Sequence, residues 1–271
     1  MNTSALEATL RRDRVIIIAS LVVLTVLAWF HLVWLANDMA MGGMDMTGYR
    51  MIPAGQALMM PASSPWQPIE FAYVFVMWVV MMIGMMTPSV TPMILIYTRI
   101  GRQAAKSRPF ASVAWFAGGY FLAWTAFSLV ATSLQWALER AALLTPMMAS
   151  ASNIVGGTLL IFAGLYQWTP LKDVCLLQCQ APLGFILSHG GFQGTTTNSL
   201  MLGFRHGLYC LGCCWALMVL LFAVGVMNLF WIAALAILVL LENVKPSGRV
   251  IARIAGIASF AGGVWMLFQP S

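Results

Sequence analysis

Charge is what this chain has least of. Only 8% of its 271 residues are Asp, Glu, Lys or Arg, where a soluble domain carries about 25%. So few charges do not cover a water-facing surface, which excludes an ordinary soluble fold. With 61% hydrophobic residues and a mean hydropathy of +0.87, the composition is that of an integral membrane protein. There are only three histidines, with no paired membrane histidines of the kind that ligate haem. Neither a Gly-x-x-x-x-Gly-Lys-Ser/Thr loop nor an Asp-Lys-Thr-Gly phosphorylation sequence occurs, which removes the ATP-driven pumps. Lys and Arg outnumber Asp and Glu by 14 to 8, yet they sit in short loops between apolar runs. That pattern is a topological signal and not a nucleic-acid footprint. What the chain does have is sulfur, with 20 methionines and five cysteines.

Crossing about 30 Å of hydrocarbon takes roughly 17–25 apolar residues in a helix. Seven runs are candidates: 15–36, 69–98, 110–136, 151–169, 205–226, 228–242 and 250–268. They predict an all-α, polytopic helical bundle formed by one domain over 1–271, with about seven transmembrane helices, or six if 228–242 does not cross. The first run is too long for a signal-peptide core and lacks a small-residue cleavage site behind it, so it reads as a retained helix. Pro88 and Pro92 predict a kink or break in the second. Alternating the loops puts twelve of the 14 basic residues on one side and only Arg50 and Arg140 on the other. The positive-inside bias makes the amino terminus cytoplasmic and the carboxyl terminus external. The connection 37–68 is then an external methionine-rich loop, and 170–204 a Cys/Gly-rich cytoplasmic connection.

All five cysteines fall between residues 175 and 214. Cys210, Cys213 and Cys214 are spaced i, i+3 and i+4, so on a helix they share one face within a turn. Cys175 and Cys179 form a second i, i+4 pair. Cytosolic thiols stay reduced, which argues against structural disulfides. Clustered thiolates suit a soft ion such as Cu(I), with zinc and Ag(I) also open. A single cysteine would be a small buried hydrophobe; three in one turn favour metal binding or thiol chemistry. His206, one turn before Cys210, is the natural fourth ligand, though it also fits a structural histidine. His189 is a weaker candidate, and His31 reads as a helix-contact residue.

The methionines fall in two groups. Met39, Met41, Met44 and Met46 lie in the external loop, where burial does not explain them. A thioether resists oxidation better than a thiol and binds Cu(I) or Ag(I) while largely ignoring zinc. The alternative is flexible filler packed against protein or lipid. In the second run Met77, Met81 and Met85 form one i, i+4 row, and Met82 and Met86 an adjacent one. Such a row suits either packing or a ladder of weak, exchangeable sites.

Three stretches together resemble a bacterial family of predicted metal-binding integral membrane proteins. They are Met77-Trp78 through Pro88-Ser89, the run from Cys175-x-x-x-Cys179 to Pro182-Leu183-Gly184-Phe185, and His206-Gly-Leu-Tyr-Cys-Leu-Gly-Cys-Cys-Trp-Ala-Leu-Met218. The likeness covers roughly residues 70–268 and leaves the external methionine loop outside it. It implies a helical bacterial inner-membrane protein that handles a soft metal, with a link to copper acquisition. By matching position it makes Cys175, Cys179, Cys210, Cys213 and Cys214 the metal ligands and places Met81, Met82, Met85 and Met86 in the methionine motif.

The expectation is therefore a Cu(I) importer and not an enzyme. External methionines collect the ion, the second helix passes it inward, and the cysteines receive it near the cytoplasm. A soluble cytoplasmic thiol acceptor completes the release, and the lipid bilayer is the other partner. The alternatives are a thiol–disulfide oxidoreductase, or a factor delivering copper to another protein.

Overall fold

The computed structural model describes residues 3–39, 49–54, 57–61, 64–103, 109–145, 148–192 and 195–269. Helix α1 spans Thr3–Met39 and is followed by an antiparallel hairpin, β1 Tyr49–Pro53 and β2 Ala57–Pro61. The long helices α2, Pro68–Gln103, and α3, Pro109–Arg140, come next, then the shorter α4, Asn153–Tyr166, α5, Pro170–Gln180, and α6, Pro182–Ser188. The chain continues with α7, Thr196–Val219, the single turn α8, Leu221–Val224, and the closing pair α9, Leu229–Val244, and α10, Gly248–Leu267. The all-α expectation holds, with the hairpin as its one exception among the described residues.

The expected count of seven spans does not hold. Five helices are long and apolar enough to cross a membrane, or up to six if the pair α4–α5, bent by 65°, is one span. The segment expected over 151–169 forms the 14 residues of α4, which rise only about 21 Å. The segment expected over 228–242 forms the 16 residues of α9, about 24 Å. Both are largely apolar, although α9 carries Glu242 and Asn243 in its last turn, and hydropathy alone does not report where a helix stops.

A break at the prolines is also absent, because α2 runs unbroken through Pro88 and Pro92. Pro88 has no N–H to offer the carbonyl of Gly84, four residues back. That carbonyl instead accepts from Trp29 Nε1 of α1 at 3.3 Å. The loss of one hydrogen bond within α2 thus becomes a contact between helices. Thr87 and Thr91 donate to the carbonyls of Ile83 and Thr87.

Two ends of the bundle can be distinguished. At one, Asp13 near the start of α1 pairs with Arg102 near the end of α2. At the other, Arg50 of β1 donates to Glu70 of α2 at 2.6 Å and to the carbonyl of Ser64 at 2.7 Å, which ties the hairpin down. Trp66 bonds Glu139 near the end of α3 at this same hairpin end. The α4 and α10 helices pack closely, and Leu267 reaches Gly157, so the described chain starts and finishes at opposite ends. Helices α3 and α7 approach most tightly. A Cβ on Gly119 would lie 2.0 Å from the Leu200 carbonyl, and one on Gly203 would lie 1.9 Å from the Phe116 carbonyl. Small residues of this kind let two backbones touch, and that contact sets Tyr120 beside Cys210.

Candidate metal centre

The cysteines come from two helices. Thr169 caps α5 by accepting from the N–H of Lys172, and Pro170 occupies its first turn. Lys172, Cys175 and Cys179 then follow at i, i+3 and i+7, on one face. Helix α7 begins at Thr196, nine residues before the start expected at 205. Cys210, Cys213 and Cys214 therefore lie well inside the helix and not near its mouth. The polar run from Thr195 to Ser199 reads as loop in sequence, but here it forms the first turn of the helix.

The sulfurs of Cys179, Cys210 and Cys213 lie within 4.8 Å of one another. Two sulfurs that share an ion at about 2.3 Å each stand no more than about 4.6 Å apart. Only a small contraction would place all three on one ion. Cys210 and Cys213 are buried and Cys179 is half-buried, and all five thiols are free. Cys213 bonds the Cys210 carbonyl at 3.0 Å and the Asn243 side chain of α9 at 3.6 Å. Cys214 bonds the same carbonyl at 3.0 Å; it contacts the Cys210 and Cys213 thiols but is not one of the three sulfurs that all lie close to one another. Cys175 is also outside it. Its Sγ lies 2.7 Å from where a Cβ on Gly212 would be, so that glycine makes room for it.

His206 does not join the trio either. Its ring packs 5.8 Å from the Tyr120 ring and 5.1 Å from the Phe185 ring, and its Nδ1 has no hydrogen-bond partner among the described residues. Tyr120 of α3 meets the thiols directly, with its hydroxyl 3.2 Å from Cys210 Sγ and 3.5 Å from the Met86 carbonyl of α2.

The methionines of α2 are all internal. Met77, Met81, Met82, Met85 and Met86 are buried in the same core cluster as Cys175, Cys210, Cys213 and Cys214. Burial alone would make them packing residues. Their row, however, runs from the hairpin end to the position whose carbonyl shares a tyrosine hydroxyl with Cys210. Met39 corrects the loop reading, because it ends α1 and is buried. Met41, Met44 and Met46 lie outside the described residues. In the hairpin, Met51 is buried and stands opposite Met59.

Lys172 and Glu242 form an ion pair at 2.7 Å, with their side chains 1% and 0% exposed. Lys172 also donates to Gln167, and Gln180 Nε2 reaches the Glu242 carbonyl at 2.7 Å. These bonds clamp α5 to α9 next to the thiols. Lys172 thus belongs to the interior, although its charge reads in sequence as one of the cytoplasmic set. For Glu242 the available signal was an ionisable residue within an apolar stretch; Lys172, in the expected cytoplasmic connection, carried none. For Tyr120, Asn243 and Gly212 nothing in the sequence pointed to the site. Cys210-Leu211-Gly212-Cys213 is itself a C-x-x-C sequence. It supports metal binding and disulfide exchange alike.

A family model described as PpoB2, copper chaperone, matches residues 75–266, a span that takes in all five cysteines and the whole methionine row of α2. No curated protein and no solved structure matches the chain.

Proposed function

The chain belongs to the PpoB2 copper chaperone family, and on that premise we propose that it carries Cu(I) through the membrane. The ion is taken up by thioethers at the hairpin end, passes along the buried methionines of α2, and is held by Cys179, Cys210 and Cys213. A soluble thiol protein on the far side then removes it. One observation carries this reading: the α2 methionines and Cys175, Cys210, Cys213 and Cys214 are buried in one core cluster, where the Tyr120 hydroxyl bridges Cys210 Sγ and the Met86 main-chain carbonyl. Thioethers are neutral and thiolates anionic, so affinity for Cu(I) rises along the route, and movement inward is downhill without ATP. Three close sulfurs suit Cu(I) or Ag(I), whereas a structural zinc site takes four ligands. On this reading no bond of a substrate is made or broken, and the protein acts as a carrier and not as an enzyme.

The distribution of charge supports a cytoplasmic amino terminus and a periplasmic carboxyl terminus, in the bacterial inner membrane that the resemblance implies. The chain's start and finish at opposite ends of the bundle agree with that orientation. A second reading, delivery of copper to another protein without net transport, is favoured by the family's description as copper chaperones. The C-x-x-C spacing keeps thiol–disulfide exchange as a third.

The test is radiolabelled copper uptake by copper-limited cells, comparing wild type with Cys210→Ser/Cys213→Ser at matched membrane expression. The expected result is faster uptake in wild type that is lost in the variant. Equal uptake, with Cu(I) still bound by the purified wild type, would turn the conclusion to delivery. A purified protein that binds no Cu(I) but exchanges disulfides would leave only the oxidoreductase.

A further inference from the structure

A cavity of about 180 Å³ opens toward the end of the bundle where α1 begins, lined by Tyr97 of α2, His189, and Asn198, Met201, Leu202 and Arg205 of α7. The metal centre as described makes no use of it. Two of its walls carry ligand atoms for a soft ion, the Met201 thioether and the His189 imidazole. The histidine is set up for that task. Its Nδ1 lies 2.8 Å from the Phe185 carbonyl and 3.1 Å from Ser188 Oγ. A carbonyl oxygen only accepts, so Nδ1 carries the proton and Nε2 keeps its lone pair. A ring N–H anchored on a backbone carbonyl is the usual support of a metal-ligating histidine.

A second observation connects the cavity to the thiols. Asn198, Leu202, His206 and Cys210 form an i, i+4 row on α7, and each step rises about 6 Å. His206 is therefore one turn from the cavity wall at Leu202 and one turn from Cys210. It is 3% exposed, and its Nδ1 has no partner among the described residues. Leaving a buried polar group unpaired costs roughly 1–3 kcal/mol, and such a group calls for an explanation in function. The buried Phe185 ring packs against both imidazoles, 4.4 Å from the ring of His189 and 5.1 Å from that of His206.

We infer that this cavity is the release vestibule of the thiol centre, in which Cu(I) passes from Cys210 by way of His206 to His189 Nε2, with Met201 as a second soft ligand. The inference rests on the Cu(I)-carrier reading and adds the exit to it. The transfer is ligand exchange with no change of oxidation state. The Cu–S bonds to the cysteines break as Cu–N to His206 forms, and Cu–N to His206 breaks as Cu–N to His189 and Cu–S to Met201 form. The vacated thiolates of Cys179, Cys210 and Cys213 regain protons from water. Arg205 on the cavity wall opposes long residence of a cation and attracts an anionic acceptor, so the vestibule hands the ion over and does not store it.

The test uses the full chain in lipid nanodiscs, loaded with Cu(I) without oxygen, with transfer to bicinchoninate followed by absorbance. His189→Gln is expected to load as wild type does and to release roughly 10–100-fold more slowly. His189→Met, which restores a soft ligand, should recover release. Carbethoxylation of His189 on folded, loaded wild type should slow release in the same way, whatever the variants do to folding. Normal loading with wild-type release in His189→Gln, or in the modified protein, would overturn the vestibule and leave the carrier reading standing. Failure of wild type to load Cu(I) would instead overturn the carrier reading.

Discussion

Replacing Lys172 tests the most costly contact near the thiols. Its ammonium and the Glu242 carboxylate meet at 2.7 Å with side chains 1% and 0% exposed, and Gln167 accepts from the same ammonium. Lys172→Met fills much of the same volume but leaves the Glu242 charge buried and uncompensated. Breaking one side of a buried pair costs about 3–5 kcal/mol. The double change Lys172→Met/Glu242→Leu removes both charges and strands only the Gln167 amide, which costs about 1–3 kcal/mol. Lys172→Met strands the Gln167 amide as well, so the double variant should be more stable than the single one by the cost of the uncompensated charge, about 3–5 kcal/mol. Because the pair clamps the helix that carries Cys179, the single variant should also bind Cu(I) more weakly. Chemical denaturation of protein in nanodiscs and Cu(I) competition with bicinchoninate read the two effects. A single variant as stable as wild type, or a double variant less stable than the single, would refute the reasoning.

Three further outcomes follow from the geometry. Cys213→Ser should weaken Cu(I) binding roughly 10–100-fold while Cys214→Ser leaves it near wild type, because only Cys213 belongs to the close trio; equal losses in the same competition would contradict that assignment. Tyr120→Phe removes the hydroxyl 3.2 Å from Cys210 and should cost about 1 kcal/mol, or about fivefold, in Cu(I) affinity, with the sulfur-to-copper absorption band shifted; an unchanged band and affinity would separate Tyr120 from the centre. Gly203→Ala puts a methyl where the Phe116 carbonyl stands at 1.9 Å, so α7 must shift off α3. Folded yield by size-exclusion chromatography should fall sharply, and a normal yield would contradict the close approach.

Comparison of particular residues shows how much could be read beforehand. The i, i+3, i+4 spacing of Cys210, Cys213 and Cys214 depends only on helical geometry and local sequence, so their shared face was legible. Which three of the five cysteines converge was not, because the angle between α5 and α7 selects Cys179 over Cys175. The methionine rows of α2 were legible for the same local reason. Their continuity through Pro88 was not, since it depends on Trp29 of another helix. The span count failed because α4 and α9, though largely apolar, are only 14 and 16 residues long.

The sequence by itself determined the solvent this chain is suited to, the helical class, the soft-ligand chemistry and the faces on which sulfur is displayed. Those properties follow from composition and from the period of 3.6 residues, both written along the chain. Only the tertiary structure decided that Cys179 crosses to meet Cys210 and Cys213. The same holds for Tyr120 joining them to Met86, for Lys172 being an interior charge held by Glu242, and for a cavity lying two turns from the thiols. Each of these depends on how closely two helices approach and at what angle. That is set by where glycines permit contact and where buried charges find partners, and both choices involve residues far apart in the chain.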